Sequence, residues 1–284
     1  MKISDTFFSM SRFALLCKKD LMENWKKNLF RLIVMYGALT IIFLWYGYFN
    51  YKSFDCIVDQ PLAAVFSNLE DSQCSFEMVA LVWTLFLMGT ISASFLMEPM
   101  KTKTSRIAEL TLPATPFERF IVRWLVFTVG FLLVYFLLFR LADWTRVAVF
   151  SIAYPKADAI RSLPMFDYLV GSQTGHWTLV PGALQLWLLI LLYLFVQSLF
   201  VLGSALWPKN AFLKTFAVGF ILFVVYALIV TGEVMWLTDR HTSLPNFWTL
   251  TTSWGAIGVL SVLTIFCWTL AYFRFKESEV INRW

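Results

Sequence analysis

The chain has 284 residues, 59% of them hydrophobic and only 14% charged, with a formal net charge of +5 and a mean hydropathy of +0.69. A water-soluble domain is about 45–50% apolar and about 25% charged, so this composition excludes an ordinary soluble globule. The balance is that of a membrane protein.

Residues 6–28 are too polar to cross a bilayer. Met10, Phe13, Cys17, Leu21 and Trp25 recur there at spacings of three and four, while Arg12, Lys19, Glu23, Lys26 and Lys27 follow the other face. The spacing predicts a helix within residues 1–28 that lies flat at the cytoplasmic interface, its apolar stripe in the lipid boundary and its bases near anionic headgroups. The alternative is a helix packed on other parts of the protein. The stretch is charged throughout and the oily run after it has spanning length, so no cleavable leader is expected.

Residues 29–284 form the expected transmembrane domain. A spanning helix needs about 20 consecutive, mostly apolar residues, and six runs meet that measure: 29–49, 78–97, 120–141, 183–206, 212–231 and 254–273. These runs are apolar on every face, whereas a barrel strand alternates apolar and polar residues. In hydrocarbon each backbone amide must bond within its own segment. The expected fold class is therefore an all-α integral membrane protein, six transmembrane helices preceded by an amphipathic interfacial helix.

Orientation follows from lysine and arginine, which favour the cytoplasm. Seventeen of the 23 fall on the side that holds the N-terminal segment, residues 98–123, the connection 207–214 and the tail 274–284. Both termini are expected in the cytoplasm. The outward connection 50–77 carries one base, Lys52, against Asp55, Asp59, Glu70, Asp71 and Glu77. It also carries Cys56 and Cys74, either a disulfide, if that compartment is oxidising, or two unlinked small residues. The longest outer connection, 142–182, contains Pro155, Pro164 and Pro181 and is expected to fold as short helices and turns at headgroup level, with Trp144, Tyr154, Phe166, Tyr168 and Trp177 at the interface.

Signatures of chemistry are missing. Ionisable residues inside a membrane mark proton relays and ion paths, and the middles of the six runs contain none; Arg140 and Glu233 lie near outer ends. There is no H-E-x-x-H or G-x-S-x-G pattern, and the two histidines, His176 and His241, belong to separate outer connections. No two of the 12 glycines are five positions apart, as a phosphate-cradling G-x-x-x-x-G-K-[ST] loop requires. The chain is expected not to be an enzyme, and nothing calls for a cofactor, a metal or a nucleic acid. Any work done with ATP must come from a partner.

The inner hairpin 98–119 departs from the rest. Glu98 and Pro99 end the second run, and Met100–Leu110 reads as a short helix carrying Lys101, Lys103, Arg106 and Glu109. Pro113 and Pro116 break it. Thr115 is placed to cap the next helix, with Pro116 at its first position and Glu118 near its positive end. The expected result is a stiff knob tied at both ends to spanning helices, which is what a mechanical coupling element needs.

Six spans, an interfacial N-terminal helix and the stretch "RIAELTLPATPFERFIVRWL" resemble the membrane subunits of type 2 ABC exporters, whose bacterial permeases carry a leucine-proline-alanine motif followed by an acid and a base as the third span begins. Here those positions are Leu112, Pro113, Ala114, Glu118 and Arg119, with Arg123 one turn on. The general likeness covers nearly the whole chain, the motif about twenty residues of it.

The resemblance implies an export permease of the plasma (inner) membrane that works with a separate ATP-binding subunit and with a second permease copy or a related permease. The hairpin would be the coupling helix, meeting the ATPase through Arg106, Glu109 and Glu118, with Leu110 or Leu112 as apolar anchor and Pro113 and Arg119 within the motif. One departure is the modest connection 232–253, where better-known members place re-entrant helices. The alternative is a non-transporting scaffold or accessory subunit that binds a partner through the same hairpin. The 18% of aromatic residues suits a greasy cargo and equally suits lipid-facing positions in any membrane bundle.

Overall fold

The computed structural model describes residues 8–52, 62–154, 160–171, 177–238 and 254–277; over 62–70 and most of 226–238 only the backbone course is described. Its helices are α1 (Met10–Glu23), α2 (Trp25–Lys52), α3 (Leu62–Ser94), α4 (Lys103–Leu110), α5 (Pro116–Trp124), α6 (Phe131–Ala153), α7 (Met165–Leu169), α8 (Ala183–Leu206), α9 (Ala211–Thr238) and α10 (Trp254–Glu277). Among the described residues there is no strand, only an isolated bridge between Val170 and Val180.

Among the described residues, five helical stretches are long and apolar enough to cross a membrane: Trp25–Lys52, Asp71–Met100, Pro116–Ala153, Ala183–Leu206 and Trp254–Glu277. The chain is accordingly an all-α integral membrane protein. The run expected at 212–231 falls on α9, and its described side chains from Leu213 onward are mostly exposed and apolar. Exposed faces elsewhere carry Ile41, Trp45, Trp83, Leu133 and Leu137, an outside that suits hydrocarbon and not water.

The third stretch departs most from its expected bounds. Hydropathy alone places a span at 120–141, yet the helix runs unbroken over 38 residues from Pro116 to Ala153, about 57 Å at 1.5 Å per residue. Residues 142–153 of the supposed outer connection are therefore helix. A π turn, Leu125–Gly130, interrupts its regular winding. Wide turns of this kind loosen the i→i−4 ladder and free carbonyls; here the Thr128 hydroxyl takes the Trp124 carbonyl, and Ser92 Oγ donates to the Phe127 carbonyl at 3.0 Å.

By contacts the chain divides into two compact units. The first comprises residues 1–16, 89–128 and 187–284. Its core joins Leu96, Met97 and Met100 at the end of the second stretch to Phe120 of α5, Val201 of α8, and Ala271 and Phe275 of α10. Aromatic edges knit the same region: Trp124 meets Trp268 at 5.1 Å between ring centroids, and Tyr272 meets Phe117 and Phe120 at 5.9 and 5.6 Å.

The second unit comprises residues 17–88 and 129–186. Helix α2 buries Met35, Leu39, Phe43, Gly47 and Tyr51, a stripe at every fourth residue. This stripe packs on α6, where Phe43 stands edge-on to Phe139 at 5.1 Å. Tyr135 of α6 donates to the Leu81 carbonyl of α3 at 2.9 Å, so even its hydroxyl is met inside the apolar core. Close approach of α2 and α6 depends on Gly47, because a Cβ there would lie 2.5 Å from Cε2 of Phe150. Gly47→Ala should cost about 1–3 kcal/mol of overpacking and lower the melting temperature of the detergent-solubilised protein followed by tryptophan fluorescence; an unchanged melt would contradict this packing.

Candidate functional site

The hairpin of the first unit is built from local hydrogen bonds. Thr102 caps α4 by accepting from Ser105 N–H at 3.3 Å, and Ser105 Oγ donates to the Pro99 carbonyl at 2.6 Å. Arg106 Nη2 folds back onto the Met100 carbonyl at 3.0 Å. After α4 the chain turns through Leu112–Ala114 and enters α5 by a reciprocal cap: Glu118 N–H donates to Thr115 Oγ1 at 3.3 Å, and Thr115 N–H donates to Glu118 Oε2 at 3.2 Å. Pro116 takes the first position of α5, where the missing N–H has no intrahelical partner to lose.

Charges then close the hairpin on itself. Arg119 and Arg123 stand one turn apart on α5, and both reach the C-terminal end of α4. Arg119 Nη1 donates at 2.9 Å to the Glu109 carbonyl, in the last turn of α4, which also accepts from Leu112 N–H at 3.4 Å, and Arg123 Nη2 pairs with the Glu109 carboxylate at 2.6 Å. Glu118 is fully buried (0% exposed). Its Oε1 accepts from Ser9 N–H at 2.7 Å and from Arg12 Nη2 at 3.2 Å, so the start of α1 is tied to the start of α5.

The residues expected to meet a partner differ in their exposure. Glu118 and Arg119 are buried, Glu109 is paired, and Arg106 is spent on a carbonyl of its own hairpin, so these charged groups brace the hairpin from within. Leu110 and Leu112 are half-buried and Pro113 is exposed. What α4 turns outward is a different stripe, Lys103, Thr104, Ile107, Ala108 and Thr111, beside Lys101. Ile107 is its apolar centre, 62% exposed.

The second unit holds a charged network that sequence reasoning missed. Arg146 of α6 is 1% exposed, and Glu77 of α3 and Asp143 of α6 are 0% exposed. Arg146 Nε meets Glu77 Oε1 at 2.5 Å, and its Nη2 meets Asp143 Oδ1 at 2.6 Å and the Arg161 carbonyl at 3.0 Å. Asp143 Oδ2 accepts from Leu163 N–H at 2.9 Å, and Arg140 donates to the Leu163 carbonyl at 2.5 Å. Gln73 adds a donor to Glu77 Oε1 at 2.9 Å. The signal was present: Arg140, Asp143 and Arg146 recur at i, i+3 and i+6, one face of a helix, provided that the helix is carried past Leu141.

Nearby, Tyr168 of α7 donates to Asp71 Oδ1 at 2.7 Å. Burial first, and the adjacent carboxylate second, push the Tyr168 hydroxyl above its ordinary pKa. On α1, partial burial and then the Asp20 charge push the Cys17 thiol up, away from the thiolate form that reacts. Cys74 is buried in α3; its expected partner Cys56, like His176 and His241, lies outside the described residues. Among the described residues no group of three or more metal-ligating side chains comes together. In α8 Gln197 is fully buried with neither amide atom hydrogen-bonded.

Comparison of the chain with protein-family models, with curated proteins and with solved structures finds no match.

The buried network makes a firm demand on Arg146. Removing one partner of a buried ion pair costs about 3–5 kcal/mol, so Arg146→Met should sharply reduce the folded fraction on size exclusion in detergent. Adding Glu77→Met should recover part of that loss, because it removes the carboxylate left without its cation, whereas Asp143 keeps Arg140 at 3.4 Å. Equal melting of wild type and Arg146→Met would show that the network is not holding these helices.

Proposed function

We propose that this chain is the membrane-spanning permease subunit of an ATP-driven export system, taking its energy from a separate ATP-binding subunit docked on the inner hairpin. On this reading α9 is a further span, which makes six. Both termini face the cytoplasm of a plasma-membrane (inner-membrane) protein, α1 lies at the inner interface, and two permease copies or two related chains form the path. The chain itself is not the ATPase.

The observation that carries the reading is the construction of the hairpin. A short exposed helix, α4, sits between two spanning stretches, capped at its start by Thr102, with a carbonyl of its last turn held by Arg119 and its acid paired with Arg123, and it leads into the closed capping box of α5. A load on α4 therefore has little slack to take up before it reaches α5. Support also comes from the likeness of Leu112–Ala114, Glu118 and Arg119 to the exporter motif, since in this fold those residues set the hairpin's shape. ATP-driven motion requires that the partner bind two states of the permease with different affinity, and a rigid contact element transmits that difference.

The outward stripe of α4 supplies the test. Ile107→Asp combined with Lys103→Glu places acids where an apolar centre and a base now stand, leaving the internal braces untouched. An exposed anchor of this kind is worth about 2 kcal/mol or more at a protein interface, so recovery of the partner should fall by more than tenfold. Full-length tagged protein is purified in mild detergent and co-purifying ATPase activity is measured. Wild type should bring down an ATP-binding subunit and the double variant should not. Equal recovery with both moves the docking surface elsewhere, and a wild-type complex without any ATPase favours a non-transporting scaffold.

A further inference from the structure

Helix α1 has two working faces. Ser9, Arg12, Phe13, Leu16, Cys17 and Asp20 lie on the half that is partly covered by protein. The opposite half carries Met10, Leu15, Leu21 and Met22, with Met10 72%, Leu15 66% and Met22 64% exposed. Lys18 and Lys19 are exposed alongside them, and after the bend at Asn24 come Trp25, Lys26 and Lys27, also exposed. In water such a face would be a liability. Large apolar side chains with lysines beside them are the pattern of a helix that lies in the headgroup layer.

We propose that this face of α1 binds anionic phospholipid and that Arg12 reports the bound lipid to the inner hairpin. The occupant is argued from charge and continuity. Lys18, Lys19 and Lys26 offer cations beside an apolar surface, and the one exposed acid among them, Glu23, sits 3.8 Å from Lys19 in an exposed pair. The helix that follows one residue after α1, Trp25–Lys52, is itself a spanning stretch, so the face is held at the level of the headgroups. A protein partner would cover the apolar residues, but it would not call for lysines facing a layer of phosphates. The route to the hairpin is short: α1 is one continuous helix, and its first turn is bonded to the buried Glu118 carboxylate through Ser9 N–H and Arg12 Nη2. Seating the lower face in an anionic layer restrains that turn, and the restraint arrives at the residue that caps α5.

This proposal rests on placing α1 at the interface and does not require the ATP-binding partner. The full chain is reconstituted in nanodiscs of phosphatidylcholine alone or mixed with phosphatidylglycerol. Retained phosphatidylglycerol is counted by native mass spectrometry, and hydrogen exchange is followed over residues 103–119. Each lysine near an anionic surface is worth about a fivefold change in binding, so Lys18→Gln, Lys19→Gln and Lys26→Gln together should cut retention steeply. Phosphatidylglycerol should slow exchange across the hairpin in wild type. Arg12→Gln, which leaves the Thr115–Glu118 cap intact, should keep the lipid and lose the slowing. Inorganic phosphate in place of the lipid should produce no slowing. Equal retention by wild type and the triple variant overturns the lipid site, and an unchanged hairpin response in Arg12→Gln overturns the route. Failure to capture an ATPase would leave both results standing.

Discussion

The carboxylate of Glu118 is buried where water cannot reach it, and such a group is tolerated only when donors surround it. It meets that demand from both directions of the sequence. Thr115 N–H, three residues earlier, closes the helix cap, while Ser9 N–H and Arg12 arrive from 109 and 106 residues away. One side chain thus fixes the end of the hairpin, the start of the third membrane stretch and the position of α1. The neighbouring arginines extend the arrangement, Arg119 and Arg123 each gripping Glu109. Without the acid the two basic positions would still hold α4, but α1 would lose its anchor.

The second unit resolves the same problem with a different geometry. Glu77, Asp143 and Arg146 are withdrawn from solvent together, and Gln73 and the backbone of Arg161 and Leu163 add further hydrogen bonds, while Glu77 Oε2 is left without one among the described residues. Buried pairs are weak sources of net stability, because desolvation consumes most of the Coulombic gain. They are strong sources of discrimination, since any arrangement that separates the partners is penalised. The segment 160–169, whose regular structure is the short α7 and whose buried side chains are Leu163 and Tyr168, is held in place by these bonds and by that of Tyr168 to Asp71.

Hydropathy is a local property, and what depends on it was legible. The apolar runs at 183–206 and 254–273 coincide with α8 and lie within α10, and the cap at Thr115, Pro116 and Glu118 follows from four adjacent residues. What depends on partners distant in the chain was not legible. Residues 142–153 read as a polar connection because Asp143 and Arg146 end the apolar run. They remain helical because Glu77, far earlier in the sequence, neutralises the arginine. For the same reason Glu118 and Arg119 read as surface charges: nothing in the residues around them reveals that Ser9, Arg12 and Glu109 are waiting. The π turn at 125–130 has no signal in composition at all.

The length of the third stretch bears on the bilayer itself. Between Arg123 and Arg140 it is free of charge, and this greasy portion is about 24 Å long at 1.5 Å per residue, against about 30 Å for a typical hydrocarbon core. Long arginine side chains usually make up such a shortfall by stretching toward water. Neither can do so here, because Arg123 is held by Glu109 and Arg140 by the Leu163 carbonyl. The difference is made up instead by Leu141, Trp144, Val149 and Ile152, whose exposed side chains carry the apolar outside of the helix past Arg140 while Asp143 and Arg146 stay buried.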